Sequence, residues 1–131
     1  MENPSDKKQK ICLVEDDQFI QEIYKTKLEA HGYQVFVANN GQEGYDTIKK
    51  EMPDIALIDI MMPVKNGISL MQDLQKDPAL AQIPVIILTN QGDDKTIKDV
   101  SDLQSHFYLE KALFTPEKVA GIVREVLHNK G

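Results

Sequence analysis

A chain of 131 residues with 41% hydrophobic and 27% charged residues, seven Gly and six Pro has the size and balance of one ordinary globular domain, which excludes collagen-like, low-complexity and disordered classes. Fifteen Lys and Arg against 21 Asp and Glu leave a net charge of -6, the wrong sign for a protein whose direct ligand is nucleic acid. A lone cysteine, Cys12, excludes an internal disulfide, and no Cys/His cluster has zinc-ligand spacing. The polar stretch Met1 to Lys10 contains no apolar leader segment, and no apolar run reaches the roughly 18 residues of a membrane span, so the expectation is a cytoplasmic protein with no membrane partner.

Residues 1–9 read as a flexible N-terminal tail and residues 10–131 as one domain. Ile11 to Val14 is the first of five short apolar runs, and it is apolar at every position, as a parallel strand covered on both faces should be. From Asp17 to Ala30, Phe19, Ile20, Ile23, Tyr24, Lys27 and Leu28 fall near helical spacing, and Gly32 follows where a helix C-cap is wanted. Gln34 to Ala38 predicts a second strand, and Asn40 with Glu43 resembles a capping box opening a short helix to Lys50, which Pro53 stops. Ile55 to Ile58 is a third strand, apolar throughout. Ile68, Leu70, Met71 and Leu74 predict a third helix over 68–75, broken at Asp77-Pro78. Val85 to Leu88 predicts a fourth strand, Ile97, Val100 and Leu103 a fourth helix over 94–104, and His106 to Leu109 a fifth strand. Thr115 as N-cap and Pro116 at the first helical position open a closing helix whose stripe is Val119, Ile122, Val123, Val126 and Leu127. Five βα units without an internal repeat predict a single open α/β sheet of parallel strands, with the first, third and fourth in its middle. The sequence stops three residues after His128, which reads as the end of a stand-alone domain.

In such a sheet, ligands bind beyond the carboxyl ends of the strands. Glu15, Asp16 and Asp17 follow the first strand, Asp59 ends the third, Thr89 ends the fourth, and Glu110 and Lys111 follow the fifth. Each has a structural explanation taken singly: acids cap a helix N-terminus, Asp59 precedes the turn at Pro63, Thr89 is a strand-end residue and Lys111 a solvated charge. Their convergence on one rim favours a site. Carboxylates that share a crevice repel, so they raise one pKa or hold a cation, and an oxygen-only ligand set suits Mg2+, with Mn2+ as a substitute. Mg2+, Lys111 and Thr89 could then neutralise a phosphoryl group while Asp59, backed by the run Ile55 to Ile58, attacks it.

These residues resemble the receiver domain of two-component response regulators, and the resemblance runs from Lys10 to about His128. It is carried by Ile11 to Asp17, by Pro53 to Pro63 around Asp59, by Pro84 to Thr89 and by Tyr108 to Lys111, with the intervals 16 to 59, 59 to 89 and 89 to 111 matching the family's spacing. The resemblance implies a flavodoxin-like, doubly wound (βα)5 three-layer sandwich of strand order 2-1-3-4-5, the order of chemotaxis receivers. It implies that Asp59 accepts a phosphoryl group from a sensor histidine kinase or a histidine phosphotransfer protein. It also implies Mg2+ held by Asp16, Asp59 and the backbone carbonyl of Met61, with Glu15 acting through water, Lys111 pairing the phosphoryl oxygens and Thr89 closing on them. Tyr108 would rotate with the state of the site and alter a face built from the fourth helix, fifth strand and fifth helix, which a downstream protein or a second, phosphorylated copy would read. Such a domain is a phosphoacceptor that catalyses only its own phosphotransfer and dephosphorylation, not an enzyme acting on a separate substrate.

Three positions depart from the family pattern: Ala112 follows Lys111 where proline is usual, Asn90 follows Thr89 where a small residue is usual and controls access, and Asn66-Gly67 replaces Asp-Gly while keeping the turn chemistry. An aspartate-nucleophile phosphatase or dehalogenase would want an acid two residues after Asp59, where Met61 stands, and a nucleotide binder would want a glycine-rich phosphate loop that the chain lacks. The alternative that keeps the fold is a pseudo-receiver that docks partners without phosphorylation. His31, His106 and His128 read as surface or strand-edge residues and Cys12 as core.

Overall fold

A computed structural model describes residues 8–59, 66–89, 107–110 and 115–130. The predicted helix over 94–104 lies outside them, as do Met61, Asn90, Lys111 and Ala112. The elements run β1 (Lys10–Val14), α1 (Gln18–Ala30), β2 (Gln34–Ala38), α2 (Gly41–Glu51), β3 (Ile55–Asp59), α3 (Gly67–Lys76), a 3-10 turn (Leu80–Gln82), β4 (Val85–Thr89), β5 (Phe107–Glu110) and a C-terminal helix (Pro116–Lys130). The sheet is parallel with order β2-β1-β3-β4-β5, so the three runs that are apolar throughout are its three interior strands.

Strand residues alternate between two cores because successive side chains point to opposite faces. Cys12, Val14, Ala56, Ile58, Val85 and Ile87 pack with Ile48 of α2 and Leu70, Met71 and Leu74 of α3. Ile11, Leu13, Ile55, Leu57, Ile86 and Leu88 pack on the other face with Tyr24 and Leu28 of α1 and Val119, Ala120, Val123 and Leu127 of the C-terminal helix. Burial pushes the Cys12 thiol up to about 12, so it stays protonated and unreactive at neutral pH.

The helix ends follow their local chemistry. Asp17 caps α1 by accepting from the backbone N–H of Phe19 (2.9 Å) and Ile20 (3.1 Å). At its other end Gly32, at φ +93°, donates to Glu29 O (3.0 Å), and Tyr33 donates to Leu28 O (3.2 Å), which together form a Schellman motif. Asn40 caps α2 through Glu43 N (2.9 Å), but Glu43 returns its carboxylate to the Asn40 side chain (3.0 Å), so only half of the predicted capping box forms. Asn66 caps α3 through Ser69 N (2.9 Å), the role that an aspartate could fill equally well. Thr115 accepts from Lys118 N (3.2 Å) at the C-terminal helix, as its Thr-Pro start predicts.

Two expectations shift. The apolar stripe of α1 is wider than the sheet can cover: Tyr24 and Leu28 are buried, whereas Phe19 is 75% and Ile23 39% exposed. The fifth strand starts and ends one residue later than the apolar run suggests. Lys27 (3.0 Å) and His31 (3.3 Å) both reach Glu117, tying α1 to the C-terminal helix; the Lys27 hydrogen bond, then that of His31, holds the Glu117 carboxyl below its ordinary range.

Gly44 sets how closely α2 approaches the sheet. A Cβ there would lie 2.9 Å from Val14 Cγ2 and 3.1 Å from Leu70 Cδ2, both buried and unable to give way cheaply. Gly44→Ala gains up to about 1 kcal/mol of helix propensity but incurs an overpacking cost of roughly 1–3 kcal/mol. The expected outcome is a net loss of about 1–2 kcal/mol in urea unfolding; an unchanged or raised midpoint would show that α2 does not sit against Val14 this closely.

Candidate functional site at the carboxyl edge of the sheet

The acidic run after β1 divides its work. Asp17 turns inward to its own helix and caps it, as the structural explanation holds for that residue, while Glu15 and Asp16 face a different neighbour. Glu15 N donates to Ala38 O (3.0 Å), which extends the ladder with β2 one residue past β1 and carries Glu15 along the same extended path. Val14 pairs with Ile58, so the next position along each strand brings Glu15 beside Asp59. Residues 11, 13 and 15 share parity with 55, 57 and 59 relative to that register, so both acids project on the side that carries α1.

The result is a cluster in which one carboxylate oxygen each from Glu15, Asp16 and Asp59 lies within 4.8 Å of the others. Glu15 (1% exposed) and Asp59 (3%) are the two buried charged residues among those described, and Asp16 closes the cluster from the solvent side. Carboxylates gathered this closely repel one another whenever they are ionised. A hard divalent cation removes that repulsion, and the donor set fits one: all oxygen, and close enough together for one ion to be shared.

Further contacts fix the turn that carries two of the acids. Glu15 Oε2 accepts from Asp17 N (3.2 Å). The side chain of Gln21, which the sequence does not single out, donates from Nε2 to the Glu15 carbonyl and to Asn39 Oδ1 (2.8 Å) at the exit of β2.

The remaining candidates are placed by backbone register. Asp59 pairs with Leu88, so Thr89 stands one strand across and one residue further on, and Thr89 itself pairs with Glu110. Tyr108 pairs with Ile87 on the edge strand β5. Met61, Asn90 and Lys111 lie outside the described residues.

The chain matches the family model of the response regulator receiver domain over residues 11–124. It belongs to the response regulator receiver family. This receiver is 34% identical over 120 residues to a probable transcriptional regulator, ycf27, of Guillardia theta, covering 92% of the chain and 46% of that protein. It is 36% identical over 115 residues to the transcriptional regulatory protein CrdR of Helicobacter pylori, covering 88% of the chain and 54% of that protein. The chain thus spans about half the length of the curated relatives it matches. Among solved structures, the receiver domain of the Francisella response regulator 1452 superposes with a TM-score of 0.84 at 31% identity, covering 94% of this chain and 99% of that one. The flavodoxin-like fold and strand order expected of a receiver are therefore present, and no helix among the described residues is long and apolar enough to cross a membrane.

The acidic cluster generates a direct expectation. A cation that binds only the folded state stabilises it by about 2.7 kcal/mol at 100-fold excess over Kd, several degrees in melting temperature for a domain of this size. Mg2+ should raise the melting temperature of the wild-type chain, whereas Asp16→Asn should melt higher than wild type without metal and respond little to Mg2+. Identical melts of the two proteins with and without Mg2+ would remove the metal assignment.

Proposed function

We propose that this receiver accepts a phosphoryl group on Asp59 in a Mg2+-dependent reaction and passes the change of state to a protein partner. The observation that carries the reading is the burial of Asp59 at the carboxyl end of the central strand β3, with Glu15 and Asp16 oxygens within 4.8 Å. No capping or turn-forming role calls for two buried acids side by side; a cation and an anionic substrate do.

The donor is a phosphohistidine on a sensor kinase or phosphotransfer protein. An Asp59 carboxylate oxygen attacks phosphorus, the P–N bond of the donor breaks, and its electron pair returns to the imidazole nitrogen, leaving an acyl phosphate on Asp59. The rigid backing of β3, buried at every position, holds the nucleophile against recoil. Asp16, Asp59 and the backbone carbonyl of Met61 would hold Mg2+, with Glu15 acting through water, and the cation would supply charge neutralisation at the phosphoryl oxygens. Lys111 pairs the remaining phosphoryl charge, Thr89 donates a hydrogen bond to it, and Asn90 beside Thr89 governs the access of donors and of water.

Thr89 and Tyr108 stand on neighbouring strands, β4 and β5, with Tyr108 beside Ile87, two residues before Thr89, a short path from the phosphoryl site to the edge of the sheet. The family resemblance implies a read-out face that includes β5 and the C-terminal helix together with the predicted fourth helix, which lies outside the described residues; its reader is a downstream protein, a further relay protein or a second copy of the phosphorylated chain. The net charge of -6 argues against direct contact with nucleic acid, whatever the half-length match to transcriptional regulators brings to those proteins.

With Trp absent, mass is the safer readout. After incubation with acetyl phosphate and Mg2+, intact mass should show one phosphoryl adduct, stable in acid and lost in base, that is missing without Mg2+ and missing in Asp59→Asn. An adduct that persists in Asp59→Asn would assign the acceptor elsewhere; neither an adduct nor Mg2+ binding would make the chain a pseudo-receiver.

A further inference from the structure

The cluster needs Glu15 and Asp16 presented together, and they are joined by one peptide whose carbonyl belongs to Glu15. That carbonyl lies one residue beyond the end of β1. It accepts a hydrogen bond from the Nε2 of Gln21 on the first turn of α1. Gln21 is itself anchored: its backbone N–H donates to Asp17 O (2.9 Å), and its second Nε2 hydrogen goes to Asn39 Oδ1 (2.8 Å).

The orientation of this chain is forced by donor and acceptor types. A backbone carbonyl only accepts, so the amide nitrogen of Gln21 must face it. The other hydrogen then meets the oxygen of Asn39, which turns the Asn39 nitrogen toward Glu43 Oε1 (3.4 Å), a carboxylate that also only accepts. Glu43 in turn is held by Asn40, the cap of α2. The Gln21 amide thus joins α1 to the exits of β1 and β2, and Asn39 carries the connection on to the first turn of α2. On the other side of Asp16, the N–H of Asp17 is taken by Glu15 Oε2 (3.2 Å), so Asp16 is bracketed by two fixed peptides.

We infer that Gln21 is a positioning residue for the cation site: by holding the Glu15 carbonyl to Asn39 it fixes the peptide that presents Glu15 and Asp16 to Asp59. The inference rests on the Mg2+ site proposed above. Gln21 touches neither cation nor phosphoryl group, and its effect passes through backbone placement. Partners behind metal ligands are typically worth ten- to a hundredfold in affinity.

The test is calorimetric Mg2+ titration of the folded full chain at 25 °C, with wild type, Gln21→Met, which keeps length and loses the donors, and Asn39→Ala, which removes the outer anchor while leaving Gln21 in place. The melting temperature of each metal-free protein is measured in parallel. Mg2+ Kd should rise about tenfold in Gln21→Met and by a smaller factor in Asn39→Ala, while both remain folded at the titration temperature. A role confined to stability would lower the melting temperatures and leave Kd within twofold of wild type, and that result overturns the inference. If Gln21→Met fails to fold, Asn39→Ala decides alone, a wild-type Kd again overturning it. Failure of the wild type to bind Mg2+ removes the cation site, and with it this role for Gln21, whereas wild-type binding with unchanged variants removes only the latter.

Discussion

The in-register parallel pairing of β1 with β3 decides where Glu15 and Asp59, the two buried carboxylates among the described residues, lie. Parallel strands deliver all their carboxyl ends to one edge, and the Val14 to Ile58 pairing makes the next residue on each strand a neighbour. Because side chains alternate, the residues that fill the two cores also dictate the direction of Glu15 and Asp59. A slip by one residue would exchange the two core faces and carry Asp59 away from Glu15, so the packing of Ile11, Leu13, Ile55 and Leu57 against α1 and the C-terminal helix is also what assembles the site. Stability and function are linked at the backbone.

That linkage has a cost that the rest of the edge answers. Buried acids of like charge oppose folding, and they are tolerated where a cation or a charged substrate completes them. Around them the chain places groups that fix geometry: Asp17 caps α1, Glu15 takes the Asp17 N–H, and Gln21 holds the Glu15 carbonyl. Gly44 contributes from the other face by letting α2 pack closely on Val14, the residue before Glu15.

Much of this is legible in the sequence because its causes are local or periodic. Ile11 to Val14, Ile55 to Ile58 and Val85 to Leu88 lack alternation since both faces are covered, and that alone places them inside the sheet. Gly32, Asn40 and Thr115 mark helix ends because each satisfies backbone groups within its own turn, and Asn66, legible only as a turn residue, proves to cap α3. Three features escape. The choice of Tyr24 and Leu28 over Phe19 and Ile23 depends on where α1 lies over the sheet, which a stripe six residues wide leaves open. The 3-10 turn Leu80–Gln82 buries only Leu80 and so has no period to read. Gln21 acts on a carbonyl six residues back and an amide eighteen residues ahead, and a hydrogen bond to a backbone carbonyl leaves no mark in residue type.

The account is tested most directly by locating the cation. Crystals grown with Mn2+, whose anomalous scattering distinguishes it from water and from Mg2+, should show one peak at the cluster of Glu15, Asp16 and Asp59, with oxygens of Asp16 and Asp59 in direct coordination at about 2 Å and Glu15 reaching it through water. Mn2+ found elsewhere on the chain, or no peak at the carboxyl edge of β1 and β3 at saturating metal, would contradict the claim that these acids converge to hold it.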